Sequence, residues 1–178
     1  MKKLLTLMLA LVLCLGLALP AAAYDVGTVG SPTTFFADLG ATAAIDPDGT
    51  LWAWGTENSH LTDEWYMGGT ANPMDLMENV ASVAAGQSHM AAIKTDGSLW
   101  TWGKNSFGQL GIGLNEQLIH HTPSKIMGDV AAVSCGGEFT AAIKTDGSLW
   151  MWGNNNYGQL GNGTLTPAYT PVKAMDDV

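Results

Sequence analysis

The decapeptide AAIKTDGSLW occupies residues 91–100 and returns without a change at residues 141–150. A third, less faithful copy, AAIDPDGTLW, occupies residues 43–52. A single catalytic site has no use for several copies of one decapeptide, whereas a repeat architecture needs one copy in every unit. The stretch therefore predicts a repeated structural element and not a site of chemistry.

A second anchor follows each copy of the decapeptide. It reads PMDLMENV at 73–80, PSKIMGDV at 123–130 and PVKAMDDV at 171–178, and its final valines lie 50 and 48 residues apart. Repeats of 20 to 50 residues are typical of solenoids and propellers. We therefore divide the chain into a short lead at 24–31, an atypical first repeat at 32–80, a second repeat at 81–130 and a third at 131–178.

Each repeat reads as short strands separated by turns. In the second repeat an Asp-Gly pair, Asp96 and Gly97, stands between HMAAIK and LWTWG, and such a pair between two strand-like runs is a strong hairpin signal. Residues two apart in a strand point to the same face, so the alternating tryptophans are expected to pack sheet against sheet. These tryptophans are Trp52, Trp54, Trp100, Trp102, Trp150 and Trp152.

The period and the turns predict an all-β fold, a partial β-propeller of three blades with about four antiparallel strands in each. Propellers have about four to eight blades, so three cannot close a ring. We expect the sequence to be part of a longer propeller. The alternative is self-association of copies through open blade edges, because unpaired strand edges invite pairing with another chain.

Residues 1–23 have the pattern of a cleaved signal peptide. Lys2 and Lys3 precede the apolar run LLTLMLALVLCLGLAL, and Ala21–Ala23 form an A-x-A cleavage site. The run is shorter than the roughly 20 residues that a spanning helix needs. We expect an exported protein, secreted or held in the cell envelope, with no membrane association after cleavage.

The charge of the expected mature chain excludes one class of partner. Five lysines remain beside 16 acidic residues, a net charge of −11, and the sequence contains no arginine. Nucleic-acid binding depends on clustered Lys and Arg, so it is not expected. Only Cys135 survives cleavage, so an intrachain disulfide is not expected either, and a buried apolar role is favoured for this residue.

The segments that follow each Trp-Gly carry a family resemblance. GKNSFGQLGIG at 103–113 and GNNNYGQLGNG at 153–163, with the upstream VAAGQSHMAAI at 83–93, resemble the regulator of chromosome condensation repeat. The resemblance implies a β-propeller and assigns scaffold roles to the motif residues. Those residues are Gly103, Asn105, Gly108, Gln109, Leu110 and Gly111, with Gly153, Asn155, Gly158, Gln159, Leu160 and Gly161 in the third repeat. The first repeat departs from the pattern, with TENSHLTDEWYMGGTAN at 56–72 and no G-Q-L-G.

Residues that differ between repeats are free to serve a partner, whereas shared residues serve the blade. This filter assigns Phe107 and Tyr157 to structure. It nominates Trp65, Tyr66 and Met67 of the first repeat, and His120 and His121 of the second, as binding residues. Exposed loop aromatics are typical interface anchors, although Trp65 and Tyr66 are equally suited to capping the first blade.

No pattern predicts catalysis, a cofactor or a metal site. Phe139 and Ala41 stand where the second repeat has His89, which argues against a catalytic histidine. The spacing of Asp46 and Asp48 favours a turn over calcium binding, and His120 with His121 is too few ligands for a metal. We expect an exported, noncatalytic module that binds another protein through loops on one propeller face. The alternatives are an architectural segment of a larger cell-envelope protein and, as the resemblance also implies, a guanine nucleotide exchange factor.

Overall fold

A computed structural model describes residues 35–38, 41–55, 70–114 and 118–178. The expected signal peptide at 1–23, the lead at 24–31 and the nominated residues Trp65, Tyr66 and Met67 lie outside these ranges. No helix long and apolar enough to cross a bilayer occurs in the part of the chain that the structure describes.

Twelve strands account for the described chain, and they form three four-stranded sheets. Sheet 1 contains β1 (Phe35–Asp38), β2 (Ala41–Ile45), β3 (Leu51–Gly55) and β4 (Thr70–Met77). Sheet 2 contains β5 (Val80–Ala85), β6 (His89–Lys94), β7 (Leu99–Lys104) and β8 (Ile119–Met127). Sheet 3 contains β9 (Val130–Cys135), β10 (Phe139–Lys144), β11 (Leu149–Gly153) and β12 (Ala168–Met175).

Every sheet is an antiparallel meander in which each strand pairs with the next strand along the chain. The predicted all-β fold of three blades with four antiparallel strands is therefore confirmed. Val80 and Val130, the last residues of the first two anchors, are the first residues of β5 in sheet 2 and β9 in sheet 3.

The decapeptide forms the predicted hairpin at the centre of each sheet. The turn backbone closes with a hydrogen bond from the Gly97 amide to the Lys94 carbonyl, 2.9 Å long, and Gly97 has a φ of +77°. The Asp96 carboxylate accepts bonds from the amide and the hydroxyl of Ser98. That hydroxyl accepts a bond from the Trp100 indole. The turn residues thereby position the first tryptophan of the pair.

The first repeat builds the same turn with different side chains. The Asp46 carboxylate accepts hydrogen bonds from the amides of Asp48 and Thr50 and from the Trp52 indole. These contacts give Asp46 the turn role that the sequence favoured over calcium binding.

The turn glycines also join one sheet to the next. The amides of Val80 and Val130 donate to the carbonyls of Gly49 and Gly97 at 2.8 and 2.9 Å, so the first strand of each new sheet begins on the hairpin turn of the sheet before. The Val178 amide donates to the Gly147 carbonyl in the same way. The turns therefore lie at one end of all three sheets.

The hydrophobic core lies between the sheets and not within a single one. Sheets 1 and 2 enclose a cluster of eight buried residues, Ala43, Ile45, Leu51, Ala53, Val80, Met90, Ala92 and Trp102. Sheets 2 and 3 enclose a second cluster, Ala91, Ile93, Leu99, Val130, Ala142 and Trp152. In both, a tryptophan of the later sheet covers small residues of the earlier one, as the predicted packing of sheet on sheet requires.

Candidate functional site

The segment after β7 is a compact loop that is held by hydrogen bonds between its own residues. The Asn105 side-chain oxygen accepts a hydrogen bond from the Leu110 amide, and the Gln109 side-chain oxygen accepts one from the Phe107 amide. Asn155 and Gln159 make the same two bonds in the third repeat. The amides of the motif satisfy loop backbone groups, so these residues act as scaffold, as the sequence predicted.

The loop of sheet 2 is also the contact that fastens sheet 3. The Gln109 carbonyl accepts two hydrogen bonds from sheet 3, one from the Thr140 hydroxyl at 2.8 Å and one from the Trp152 indole at 3.0 Å. All three residues are completely buried. A buried carbonyl satisfied twice by a neighbouring sheet joins the sheets with directional bonds as well as apolar packing.

His89 completes this network. Its Nε2 atom lies 2.9 Å from the Thr140 hydroxyl. Because that hydroxyl donates its single proton to the Gln109 carbonyl, Nε2 carries a proton and is the donor. Burial lowers the pKa of His89 to about 4. His89 thus acts as an uncharged link between sheets 2 and 3.

The motif glycines make this close approach sterically feasible. A Cβ atom at Gly111 would stand 2.8 Å from the Trp152 indole nitrogen, and one at Gly108 would stand 2.7 Å from the Cα atom of Tyr169. The Gly113 amide donates to the Tyr169 carbonyl. The G-Q-L-G glycines are therefore required by the neighbouring sheet and not only by their own loop.

Among the described residues, the junction between sheets 1 and 2 lacks this polar contact. Trp102 occupies the position of Trp152 and is completely buried, yet no described residue is a hydrogen-bond partner of its indole nitrogen. Met90 stands where sheet 3 has Thr140. The first repeat has no G-Q-L-G, so the loss of the motif in one repeat coincides with the loss of both hydrogen bonds in the next.

A long connection joins the third and fourth strands of each sheet. The described parts of those connections in sheets 2 and 3, residues 105–114, 118 and 154–167, lie at the end of the sheets opposite the turns. We call the three connections, residues 56–69, 105–118 and 154–167, the loop end, and residues 56–69 are outside the described ranges. Large apolar side chains are exposed there, namely Leu114 (79%), Leu118 (58%), Tyr157 (92%) and Leu165 (65%). The three leucines were not predicted as surface residues, although apolar residues in a polar, glycine-rich loop are themselves a signal.

The nominated binding residues divide into two groups. Trp65, Tyr66 and Met67 belong to the segment 56–69, outside the described residues. His120 and His121 are half-buried in β8, where His120 pairs with Gly103. Backbone pairing with β7 holds this segment extended, so the adjacent pair points to opposite faces of the strand.

Two further groups bear on chemistry. Cys135 packs against the core between sheets 2 and 3, and burial raises the pKa of its thiol to about 12, so the thiol stays protonated. This agrees with the apolar role favoured from the sequence. Within the described ranges, no three His, Cys, Asp or Glu side chains come together as metal ligands would.

The chain is similar to known proteins of one repeat type. Two sequence profiles of the Regulator of chromosome condensation (RCC1) repeat match it, one at residues 96–143 and 146–177, the other at 80–109 and 130–159. Together they cover residues 80–177 without a gap. A search of curated proteins finds no significant match.

Solved structures share the fold. Yeast RCC1 (Prp20), crystallised with Kap60, aligns with a TM-score of 0.71 at 20% identity over 80% of this chain. Human WBSCR16 aligns with a TM-score of 0.69 at 20% identity over 81%. Prp20p from Saccharomyces cerevisiae, studied for its binding to Gsp1p and histones, aligns at 0.69 and 18% identity over 80%. The chain spans only 37–38% of the length of these proteins.

Proposed function

The chain belongs to the Regulator of chromosome condensation (RCC1) repeat family, and from that premise we propose that it is an exported, noncatalytic module that binds another protein through its loop end. RCC1 repeats form interaction and regulatory modules, and the structural neighbours include proteins that bind Kap60, Gsp1p and histones. We propose that the partner of this chain is a protein and that the side chains of the loop end determine which protein binds.

The observation that carries this proposal is the contrast within the loop end. Motif residues such as Gln109 and Asn155 are buried and hydrogen-bonded, whereas Leu114, Leu118 and Leu165 in the same two loops are largely exposed. Apolar side chains gathered at one end of a scaffold are typical of a protein-binding surface. The sequence also nominates Trp65, Tyr66 and Met67, in the segment that joins β3 to β4.

Export is the second part of the proposal. It rests on the charged, apolar and A-x-A pattern of residues 1–23. We expect the protein produced with its own leader in an exporting bacterium to appear outside the cytoplasm with Tyr24 as its first residue. Intact-mass measurement checks this, and a chain that keeps residues 1–23 would contradict it.

The binding proposal is tested by variants of the loop end. A double variant Leu114→Ser/Leu118→Ser and a second, Trp65→Ala/Tyr66→Ala, are compared with the native chain for capture of extracytoplasmic proteins. The captured protein is then purified, and its affinity is measured by calorimetry. We expect at least a tenfold loss for one or both loop-end variants, since removing an interface anchor costs about 2 kcal/mol or more.

The matched control is Thr95→Ala/Thr145→Ala. Both threonines are exposed in the hairpin turns at the opposite end of the sheets, and their substitution should leave the affinity unchanged. Equal affinity of the native chain and both loop-end variants would exclude the loop end as the binding surface. Accelerated nucleotide release from a GTPase would instead support the exchange-factor alternative.

A further inference from the structure

The loop of sheet 3, residues 154–167, contains the only Asn-Gly pair in the sequence, Asn162 and Gly163. Glycine has no Cβ atom to hinder approach to its backbone nitrogen, so that nitrogen can reach the side chain of a preceding asparagine. Asn162, Gly163 and Thr164 are all exposed. Gly163 has a φ of +76°, and a Cβ atom built on it would meet nothing within 4 Å. Solvent therefore reaches both groups of such a reaction.

The side-chain oxygen of Asn162 is held by three donors. The Thr164 hydroxyl donates to it at 2.8 Å, the Thr164 amide at 3.1 Å and the Asn155 side-chain nitrogen at 3.3 Å. Asn155 is completely buried and also donates to the carbonyls of Thr164 and Thr166, so the donors are fixed to the loop backbone. Fixed donors at an oxygen that becomes negative in a transition state lower the barrier to reaction. Attack on the Cγ atom of Asn162 places negative charge on this oxygen.

The side-chain nitrogen of Asn162 is suited to depart. Every hydrogen bond that this side chain makes to described residues is accepted by its oxygen, and the nitrogen donates to none of them. Because the residue is exposed, water can supply the proton that a departing amine needs. Asn156 is also exposed, but Tyr157 follows it in the sequence, and no described donor holds its side-chain oxygen. The arrangement at Asn162 is therefore not shared by its exposed neighbour.

The Asp-Gly turns provide a second contrast within the chain. Hydrogen bonds from the hydroxyl and the amide of Ser98 hold the pKa of Asp96 below its ordinary value, so its side chain is an ionised carboxylate. A carboxylate resists attack by a nucleophile and has no amine to release. The Gly97 amide is in addition bound to the Lys94 carbonyl within the turn. The turn of sheet 3 makes the same contacts, so the turns are not expected to react in this way.

A further sheet beside sheet 3 would leave Asn162 accessible. The loop of sheet 2 has such a neighbour, and its corresponding residues, Ile112 and Gly113, are still only half-buried. The Gly113 amide donates to the Tyr169 carbonyl of sheet 3, yet a Cβ atom at Gly113 would meet nothing within 4 Å. Such a hydrogen bond lies along the N–H direction and leaves the faces of the nitrogen uncovered. The reactivity of Asn162 therefore does not depend on how many sheets the propeller contains.

We propose that Asn162 is a site of deamidation by its own backbone, promoted by the donors from Thr164 and Asn155. Hydroxide removes the Gly163 amide proton, and the nitrogen forms a bond to the Cγ atom of Asn162 while the donors hold the negative charge on Oδ1. The Cγ–Nδ2 bond then breaks, and the nitrogen leaves as ammonia with a proton from water. A second water opens the cyclic imide at one of its two carbonyls, which gives aspartate or isoaspartate at position 162.

The product changes the chemistry of the loop end. Residues 154–167 contain no charged side chain, and Leu165 in this loop is 65% exposed. Deamidation adds a carboxylate near this apolar side chain, and a charge must lose water when an apolar partner covers it. Deamidation thus lowers the affinity of the loop end for its partner. This consequence, unlike the reaction itself, rests on the proposed function.

Peptide mapping of the full chain, incubated in neutral buffer and sampled over time, tests the reaction. The peptide that contains Asn162 gains the mass difference between a hydroxyl and an amino group, and chromatography separates its aspartate and isoaspartate forms. We expect Asn162 to convert about tenfold faster or more than Asn156, which lacks both the glycine and the donors. No conversion at Asn162, or equal rates at the two residues, would overturn the proposal.

Substitutions of Thr164 test the role of the donors. Thr164→Val removes the hydroxyl and should slow the conversion by at least about fivefold, because a hydrogen bond to a developing charge is lost. Thr164→Ser keeps a hydroxyl and should retain most of the native rate. Thr166→Val is the matched control, since the Thr166 hydroxyl donates to Thr164 and not to Asn162, and it should also retain the native rate. Equal rates in Thr164→Val and the native chain would overturn the proposal.

The affinity for the captured partner tests the consequence. Asn162→Asp carries the charge of the product and should bind at least about tenfold more weakly, whereas the neutral Asn162→Gln should bind as the native chain does. Equal affinities of these two variants, with weaker binding by Leu114→Ser/Leu118→Ser, would overturn the effect on binding and leave the proposed function standing. If no loop-end variant changes the affinity, the proposed function and this effect are both wrong, and the peptide map alone decides the reaction at Asn162.

Discussion

At the scale of single residues, position 89 shows how one substitution changes the character of a junction. The sequence argues against a catalytic role for His89, because Phe139 occupies the same position in the next repeat. The structure adds a role that the comparison of repeats did not reveal. His89 is 1% exposed and donates to Thr140, whose hydroxyl reaches the Gln109 carbonyl. His89 can form this hydrogen bond because the facing strand, β10, carries Thr140.

His89 should make the free energy of unfolding depend on pH. Its pKa is lowered to about 4 in the folded chain from 6.5 in the unfolded one. The unfolded state therefore binds more protons between these two values. The contribution of neutral His89 to the free energy of unfolding is thus fully present above pH 6.5 and is lost as the pH falls towards 4. We expect a loss of about 2 kcal/mol between pH 7 and pH 5 from this residue.

Denaturant titration at several pH values and one protein concentration measures this loss. His89→Phe, which copies the third repeat, should remove most of the slope between pH 7 and pH 5. An unchanged slope in His89→Phe would assign the pH dependence to other groups.

At the scale of structural elements, period-two alternation predicted that both tryptophans of each pair share a face, and it treated the three pairs alike. They are not alike in the structure. Trp102 and Trp152 are completely buried, whereas Trp54 is half-buried because no described sheet covers its face. A strand's pattern tells which way a side chain points but not what lies beyond it, since the covering sheet comes from elsewhere in the chain.

The two buried tryptophans allow the hydrogen bond at a junction to be measured. Both are 0% exposed, but among the described residues the Trp152 indole has an acceptor, the Gln109 carbonyl, and the Trp102 indole has none. Replacing each by Phe removes similar apolar volume. Trp152→Phe should therefore cost about 1 kcal/mol more in free energy of unfolding than Trp102→Phe. Equal losses in parallel denaturant titrations would show that the bond contributes nothing to stability.

At the scale of the whole molecule, the fold was largely predictable because its information is repeated. The Asp-Gly turns, the alternating Trp strands and the period near fifty residues each appear more than once, and together they specify three four-stranded sheets. The candidate surface was less predictable. Leu114 and Leu118 carry no motif, and their exposure depends on how the loop folds over sheet 2. The decapeptides of sheets 2 and 3 are identical, so the sequence did not predict that Ile93 is buried whereas Ile143 is half-buried.

These two isoleucines test how far the neighbouring sheet determines what one side chain contributes to stability. Ile93 is 4% exposed beneath sheet 3, so Ile93→Ala should cost about 2–5 kcal/mol of unfolding free energy. Ile143 occupies the same position of the identical decapeptide but is half-buried, so Ile143→Ala should cost less than half as much. Denaturant titrations of both variants at one protein concentration measure the two losses. Equal losses would contradict the inference that burial beneath sheet 3 accounts for the larger contribution of Ile93.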